Sequence, residues 1–333
     1  MLAAPAAPSS LFRCNRRVWL GFATATAMGL TGLTAQAQSS VAEAPAPPAL
    51  ELLVLGSGGP GATGRAGSCY AVLVDGVARI IVDAGPGSFV RLGEAKLSLA
   101  KADIILLTHL HADHAGELPG LLKARAVSSR GPILFDIFGP DGQVGRKGDA
   151  RFPSTRRFVD LLFGPQGAYG YLPTFSAPMT LKATNVPARA GAGAARPITI
   201  YRADGLRITA VAGHHRDAPA VIYRVDYAGK SITFSGDVDA AGLGALRQLA
   251  AHSDLLVFNS VVLDPPGSPP VLYTLHSPPK AIGELARDAG VVKLLLSHLS
   301  PATESQSEAV AASIAQSFAG SVEFARDGIR VIP

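Results

Sequence analysis

Ile104-Ile105-Leu106-Leu107-Thr108-His109-Leu110-His111-Ala112-Asp113-His114 is the stretch whose reading decides the fold. Its first half has the length and composition of a buried strand. Its second half places four metal-ligand side chains, His109, His111, Asp113 and His114, within six residues. The ligands stand where a strand ends and a loop opens toward a helix, which is where layered α/β proteins collect their active sites. Imidazoles at i and i+2 of an extended segment share one side. His109 and His111 can therefore grip one metal, while Asp113 and His114, past the turn, face a second. The bland alternative is a solvated His/Asp-rich loop, but core strands rarely end in four such ligands without metal.

Further ligand types recur at other strand ends. His214-His215 follows the strand pattern 206–213. Asp237, in Ser235-Gly236-Asp237, follows 230–235, and His298, in Leu296-Ser297-His298, follows 291–296. Repetition over four strand ends is a stronger signal than any single motif.

Outward from the metal strand, Leu50 to Leu55 reads as the first strand and runs into the glycine loop Gly56-Ser57-Gly58-Gly59-Pro60-Gly61. The loop lacks the Lys-Ser/Thr of a phosphate loop, so it is read as a rim of the site. Tyr70–Val74 and Arg79–Asp83 flank Asp75-Gly76, a hairpin signal. Helices are expected near 87–96, 116–126, 240–250, 278–289 and 303–318. Strands are expected at 198–202 and 220–227, with a closing hairpin 321–325/328–332 that turns at Asp327-Gly328. Residues 136–196 are rich in Gly, Pro, Arg and aromatics. They read as an inserted cap whose aromatics (Phe152, Phe158, Phe163, Tyr169, Tyr171, Phe175) either line a pocket or form a satellite core. Arg151, Arg156 and Arg157 in this segment fit a solvated helix face better than an anion site.

Of the 333 residues, 48% are hydrophobic and 17% charged, a composition that builds a substantial core and excludes disorder. Arg13, Arg16 and Arg17, the apolar run Val18–Leu33 and the small-x-small triplet Ala35-Gln36-Ala37 form the pattern of a secretory signal peptide over 1–37. The apolar run falls short of the ~20 residues that span a bilayer. Export to the periplasm or beyond is expected, with a flexible N-terminus over 38–49 and no stable membrane association after cleavage. The whole chain carries 30 basic and 25 acidic residues, and 1–37 holds three Arg and no acid, so the remainder has a net charge of only +2. That removes a strong electrostatic case for nucleic acid. Cys69 is then the only cysteine, so no internal disulfide supports the fold.

Thr108-His109-Leu110-His111-Ala112-Asp113-His114, the later His, Ser-Gly-Asp237 and Ser-His298, in that order, resemble the metallo-β-lactamase-fold superfamily over nearly all of 50–333. The segment Pro219–Arg224 and Leu-His298-Leu-Ser are similar to the ribonuclease Z-like branch and its arylsulfatase-like relatives. The resemblance implies an α/β fold, a four-layer αββα sandwich. It also implies two divalent metal ions, zinc first, with Mn2+ or Fe2+ as alternatives. Carried over by position, His109, His111 and one of His214/His215 hold the first metal. Asp113, His114 and His298 hold the second, and Asp237 bridges them. His215 is favoured by its spacing to Pro219–Arg224. His276, in Thr274-Leu275-His276-Ser277, resembles the His that protonates the leaving group in this branch, and Asp113 would orient the attacking water. A water bridging two such ions ionises near neutral pH and attacks a phosphodiester or related ester.

One departure bears on substrate. Where the branch carries a His-Glu-Ala-Thr-Phe-like segment, this chain has Val257-Phe258-Asn259-Ser260-Val261. With the export signal, it argues against tRNA maturation and for a small-molecule ester or phosphodiester. A lactonase, thioesterase or sulfatase on the same metals is the alternative, and a noncatalytic metal-binding protein is a third reading. The resemblance leaves a homodimer open.

Overall fold

The computed structural model describes residues 46–61, 63–143, 152–188, 196–216 and 218–333. The expected signal segment 1–37, residues 38–45 of the N-terminal stretch and Arg151 lie outside the described residues. Among the described residues no helix is long and apolar enough to cross a membrane.

The first half of the chain supplies β1 (Leu50–Gly56), β2 (Cys69–Val74), β3 (Val77–Val82), β4 (Ile104–Leu106), β5 (Ile133–Pro140) and β6 (Met179–Val186). The second half supplies β7 (Ile198–Ala203), β8 (Leu206–Ala212), β9 (Val221–Tyr227), β10 (Lys230–Phe234), β11 (Leu255–Asn259), β12 (Lys293–Ser297), β13 (Ser321–Phe324) and β14 (Arg330–Val331). They form one sheet in the order β14-β1-β2-β3-β4-β5-β6 and a second in the order β13-β12-β11-β10-β9-β8-β7. Each sheet is antiparallel on one side and parallel on the other. The change falls at β3 in the first sheet and at β10 in the second. The helices are α1 (Ser88–Glu94), α2 (Ala112–Ala115), α3 (Leu118–Ser128), α4 (Thr155–Phe163), α5 (Leu243–Leu249), α6 (Pro279–Asp288), α7 (Pro301–Ser305) and α8 (Ser307–Ala315).

Three apolar layers hold these elements together. The inner faces of both sheets meet through Leu52, Val72, Ile80 and Leu106 from one side and Ile208, Tyr223, Phe234 and Val257 from the other. Leu53, Ala71, Ile81 and Ile105, the alternate residues of the first sheet, pack under α3 and α4. Phe258, Leu294 and Leu296 of the second sheet pack under α5, α6 and α8. Strands covered on both faces have no polar side to show, which is why β1 and β2 read as continuous apolar runs. The result is the four-layer αββα sandwich. Tight turns suit the right-handed twist of the hairpins. Asp75-Gly76, Asp204-Gly205 and Ala228-Gly229 all have positive φ at both central residues.

Two expectations are corrected. Residues 136–196 are not an inserted cap as a whole, because β5 and β6 at its two ends are parallel strands of the first sheet, paired over their full length. Their sequences hid this. β6 lies at the sheet edge and is half exposed, so its apolar positions are diluted with polar ones. The aromatics divide accordingly: Phe163 is buried under the sheet, and Tyr171 and Phe175 face Lys123 on the surface. The closing hairpin is also absent. β13 pairs with β12 and β14 with β1, so Asp327-Gly328 carries the chain from one sheet to the other. Asp327 is built for that crossing, since its carboxylate accepts hydrogen bonds from Ser57 N, Ser57 Oγ and Ala66 N and from Arg91 Nε.

The sheets are sewn together at one end. Val221 N donates to Thr108 O, Tyr223 Oη to Leu107 O, and Gly59 N and Leu299 N bond reciprocally across to Leu299 O and Ser57 O. Gly236, at the end of β10, has φ +56, and a Cβ there would lie 2.8 Å from Thr108 Cβ. Gly236→Ala is therefore expected to destabilise the fold by about 1–3 kcal/mol, measured by urea unfolding. An unchanged midpoint would show that the turn is not constrained.

Candidate metal centre

Seven polar side chains converge at the sewn end, delivered by the ends of strands and by the short helix that follows one of them. β4 runs into His109 and His111, and α2 carries Asp113 and His114 back toward them. His215 follows β8, Asp237 follows β10 and His298 follows β12. Three of the turns here lie in the left-handed region: Asp83 at φ 58, Gly236 at φ 56 and His298 at φ 54. Such a conformation disfavours a side chain and persists where surrounding structure imposes it. It bends each chain sharply as it leaves its sheet.

Asp237 lies at the centre, 3% exposed. Its Oδ2 is 3.8 Å from His109 Nε2 and 3.5 Å from His215 Nε2. Its Oδ1 is 3.7 Å from His114 Nε2 and 3.6 Å from His298 Nε2. One carboxylate thus offers one oxygen to each of two groups. The first group is completed by His111, which gathers with His109 and His215. The second is completed by Asp113, whose Oδ2 lies 3.2 Å from His298 Nε2 and 3.6 Å from His114 Nε2. His214 belongs to neither group. Its ring is turned outward to Asp239, 2.7 Å away, and His215 alone reaches the centre. His276 also reaches it, with Nδ1 4.0 Å from Asp237 Oδ2, and groups with His215 and Asp237.

The outer ring nitrogens of His114 and His215 are held from behind. Asp83 Oδ2 is bonded to His114 Nδ1 at 2.8 Å and to Thr108 Oγ1, and Asp83 Oδ1 accepts from Thr108 N. His215 Nδ1 is 2.8 Å from Leu275 O, where it donates. The contact at His215 fixes the tautomer whose Nε2 lone pair turns inward, and Asp83 orients the His114 ring, the outer support that metal-bound imidazoles require. Asn259 Nδ2 donates to Asp237 Oδ1 at 2.7 Å. Asp83 and Asn259 are the functional residues that sequence reasoning undervalued. Asp83 was legible only as a turn residue, although an acid at the end of a core strand is itself a signal. Asn259 was read as the place of an absent acid, and only its contact shows what the amide does.

Burial and crowding set the charges. Burial lowers the His109 imidazole well below its ordinary range, and the neighbouring His114 lowers it further. Burial also lowers His111 and brings His276 down to about 4. Burial opposes a charge on His114 as well, but Asp237 and Asp83 outweigh it and hold that ring up at about 9. Burial likewise opposes the Asp237 carboxylate, yet His298 and His114 keep it well below the usual range. The centre is a set of crowded imidazoles around two carboxylates, Asp237 and Asp113. His114 Nε2, His276 Nδ1 and His298 Nδ1 are buried without a hydrogen-bond partner. Buried polar atoms left unpaired are costly and rare, and a nitrogen- and oxygen-donor set of this type suits a divalent transition metal. The residues present fit the metals.

The β-lactamase superfamily domain matches residues 78–299. A ribonuclease Z of Mycobacterium avium (strain 104) is 30% identical over 293 residues, covering 85% of this chain and 98% of the relative. The chain belongs to the β-lactamase superfamily, in its ribonuclease Z-like branch. The ribonuclease Z of Mycolicibacterium paratuberculosis has the same identity and coverage. Among solved structures, the short form of human tRNase Z superposes with a TM-score of 0.61 at 21% identity, covering 85% of this chain and 99% of that one. The metallo-β-lactamase-fold protein YhfI of Bacillus subtilis also reaches 0.61, at 19% identity over 85% of this chain and 98% of its own. This β-lactamase-superfamily chain is accordingly a metal-dependent hydrolase.

A cavity of about 440 Å3 opens beside the centre of the hydrolase. It is lined by Gly59, Pro60, Gly61, Arg65 and Asp113, and it places the glycine loop at the rim. Gly59 suits that place, since a Cβ would lie 3.1 Å from His298 Nδ1. Another cavity, of about 460 Å3, is lined by His214, Arg216, Asp239 and Tyr273 and by none of the seven converging residues. Phe152 packs its ring 5.6 Å from that of His111, the one aromatic of 136–196 whose ring meets a described metal-centre imidazole.

The buried imidazoles make stability pH-dependent. The unfolded chain takes up protons on His276 near pH 6.5, whereas the folded chain refuses them until about 4. His109 and His111 shift in the same direction. Stability is therefore present above the unfolded value and lost as pH falls through that window. Melting of the chelator-treated protein between pH 7.5 and 4.5 is expected to show a falling midpoint, and a flat profile would contradict the buried neutral rings.

Proposed function

We propose that the chain is an exported, dinuclear, zinc-dependent phosphodiesterase acting on small organic phosphodiesters. The observation that carries this reading is Asp237, which presents one oxygen to each of two complete donor groups. Divalent ions held by these two donor groups would supply acidified water near neutral pH and neutralise charge on phosphoryl oxygens.

The protein's own residues supply the rest. Asp113 is the more exposed of the two central carboxylates and stands at the mouth of the glycine-lined cavity, where it orients the attacking water. Asn259 keeps Asp237 from rotating between the two groups. His276 Nδ1, buried and unpaired, is the group placed to deliver a proton to the leaving oxygen; burial keeps the ring neutral on its own, so it takes that proton up only when an anionic phosphodiester lies beside it. The names of the curated relatives support phosphodiester chemistry. The signal-peptide pattern and the net charge of +2 over 38–333 support export and a small substrate rather than a polyanionic RNA.

Asp237→Ala should abolish turnover and bound metal together, read by metal analysis of the purified variant. Full turnover with one ion bound would overturn the dinuclear reading. His276→Ala should lower kcat by about 10²–10⁴-fold on a chromogenic phosphodiester while both metals stay bound. Loss of metal in that variant would make His276 a ligand. Hydrolysis of lactones, thioesters or sulfate esters by the metal-loaded protein, with none of phosphodiesters, would replace the substrate class.

A further inference from the structure

The metal centre reaches the outside through two side chains. Of the seven converging residues, His109, His114, His215, Asp237 and His298 are buried, whereas His111 and Asp113 are half-buried. One of these two belongs to each donor group. A substrate whose oxyanion lies on the ions comes in past His111 and Asp113, and whatever stands beside them meets the rest of the substrate.

Beside Asp113 lies the glycine-lined cavity. Its cationic side chain, Arg65, is already committed, since the guanidinium donates to Glu304, Ser57 Oγ and Ala325 O. Prolines and glycines line the rest, so this flank gives room without selecting a chemistry. Beside His111 stands Phe152, with ring centroids 5.6 Å apart and ring planes inclined at 52°. Phe152 is half-buried and takes part in none of the three apolar layers. Its backbone is anchored on both sides. Gln143 N donates to Phe152 O, Ser154 Oγ caps α4 through Arg157 N, and Thr155 Oγ1 donates to Pro140 O. Gly142, at φ +81, lets the chain close here, because a Cβ on it would collide with Ser154 N. An aromatic ring outside the core, on an anchored backbone and against the half-buried imidazole of the centre, is placed for a ligand more than for the fold.

We infer that Phe152 is a specificity-determining residue, the platform on which an aromatic ester group of the substrate packs. The oxyanion lies on the ions, the aromatic group lies on the His111 side, and the other substituent lies in the glycine-lined cavity beside Asp113. Rings pack on one another in offset or edge-to-face arrangements, and such pairs gain more than their buried area alone supplies. The hydrolase thereby prefers aryl-bearing esters to alkyl esters of the same charge. The inference rests on the dinuclear reading, because the ions must hold the oxyanion, but not on which ester bond is cut.

The test uses two anions that have no ester bond to hydrolyse, phenylphosphonate and methylphosphonate, titrated calorimetrically into the zinc-loaded protein. They share a head group and differ in the ring. The ratio of their affinities, phenyl over methyl, should be about tenfold larger in the wild type than in Phe152→Ala. Phe152→Tyr keeps the ring and should keep the ratio. Tyr171→Ala, which removes an exposed aromatic packed against Lys123, should leave it unchanged. A ratio that survives Phe152→Ala would overturn the inference. If both ligands weaken equally in that variant, Phe152 supports His111 and does not touch the substrate. Binding of neither phosphonate to the zinc-loaded wild type would sink the dinuclear reading and the inference with it. Phosphodiester turnover is assayed separately. Its absence beside a ratio that falls in Phe152→Ala would change the bond that is cut and leave the aromatic platform standing.

Discussion

One buried carboxylate organises this molecule. Asp237 is surrounded by the imidazoles of His109, His114, His215, His276 and His298, none more than 4% exposed, and it stays ionised against burial because those rings face it. Removing one partner from a buried ionic set costs about 3–5 kcal/mol, so the surrounding backbone has little freedom to drift. The bends at Asp83, Gly236 and His298 are the conformational consequence. Each takes a chain out of its sheet at an angle that ordinary residues avoid, and together they bring separate strand ends to one point.

The two sheets explain how such a point can be rigid. Each changes from antiparallel to parallel pairing at the strand that leads into or flanks the site, β3 in one and β10 in the other. Asp83 leaves the first and Gly236-Asp237 the second, so the acid that supports His114 and the acid at the centre occupy corresponding places in the two halves. Hydrogen bonds from Val221, Gly59 and Leu299 then lock one sheet edge to the other beside the ligands. Ligands on rigid strand ends, rather than on free loops, hold their geometry when metal leaves and returns.

Around that rigid core, loops face solvent. The glycine loop lies close against His298 because a side chain at Gly59 would collide with the ring. Elsewhere the His214–Asp239 pair fixes the turn that exposes Arg216. Asn259 adds to the centre from behind, since its amide donates to the Asp237 carboxylate where an acid would repel it.

The sequence by itself determined the elements and most of the chemistry. Aliphatic runs covered on both faces can only be core strands, and His and Asp residues placed directly after them were legible without coordinates. What it could not determine was pairing. The pattern at 321–332 looked like a hairpin because two short strands flank Asp-Gly, yet the strands join different sheets. The composition of 136–196 hid β6 because an edge strand keeps a polar face. Local pattern reports which residues avoid water, whereas pairing depends on partners outside the local stretch, from a few tens of residues away for β13 and β6 to the far end of the chain for β14. For the same reason only the tertiary structure separated His214 from His215. The two are adjacent and chemically identical, and the turn that sends one ring to Asp239 and the other to Asp237 is set by contacts from distant segments of the chain.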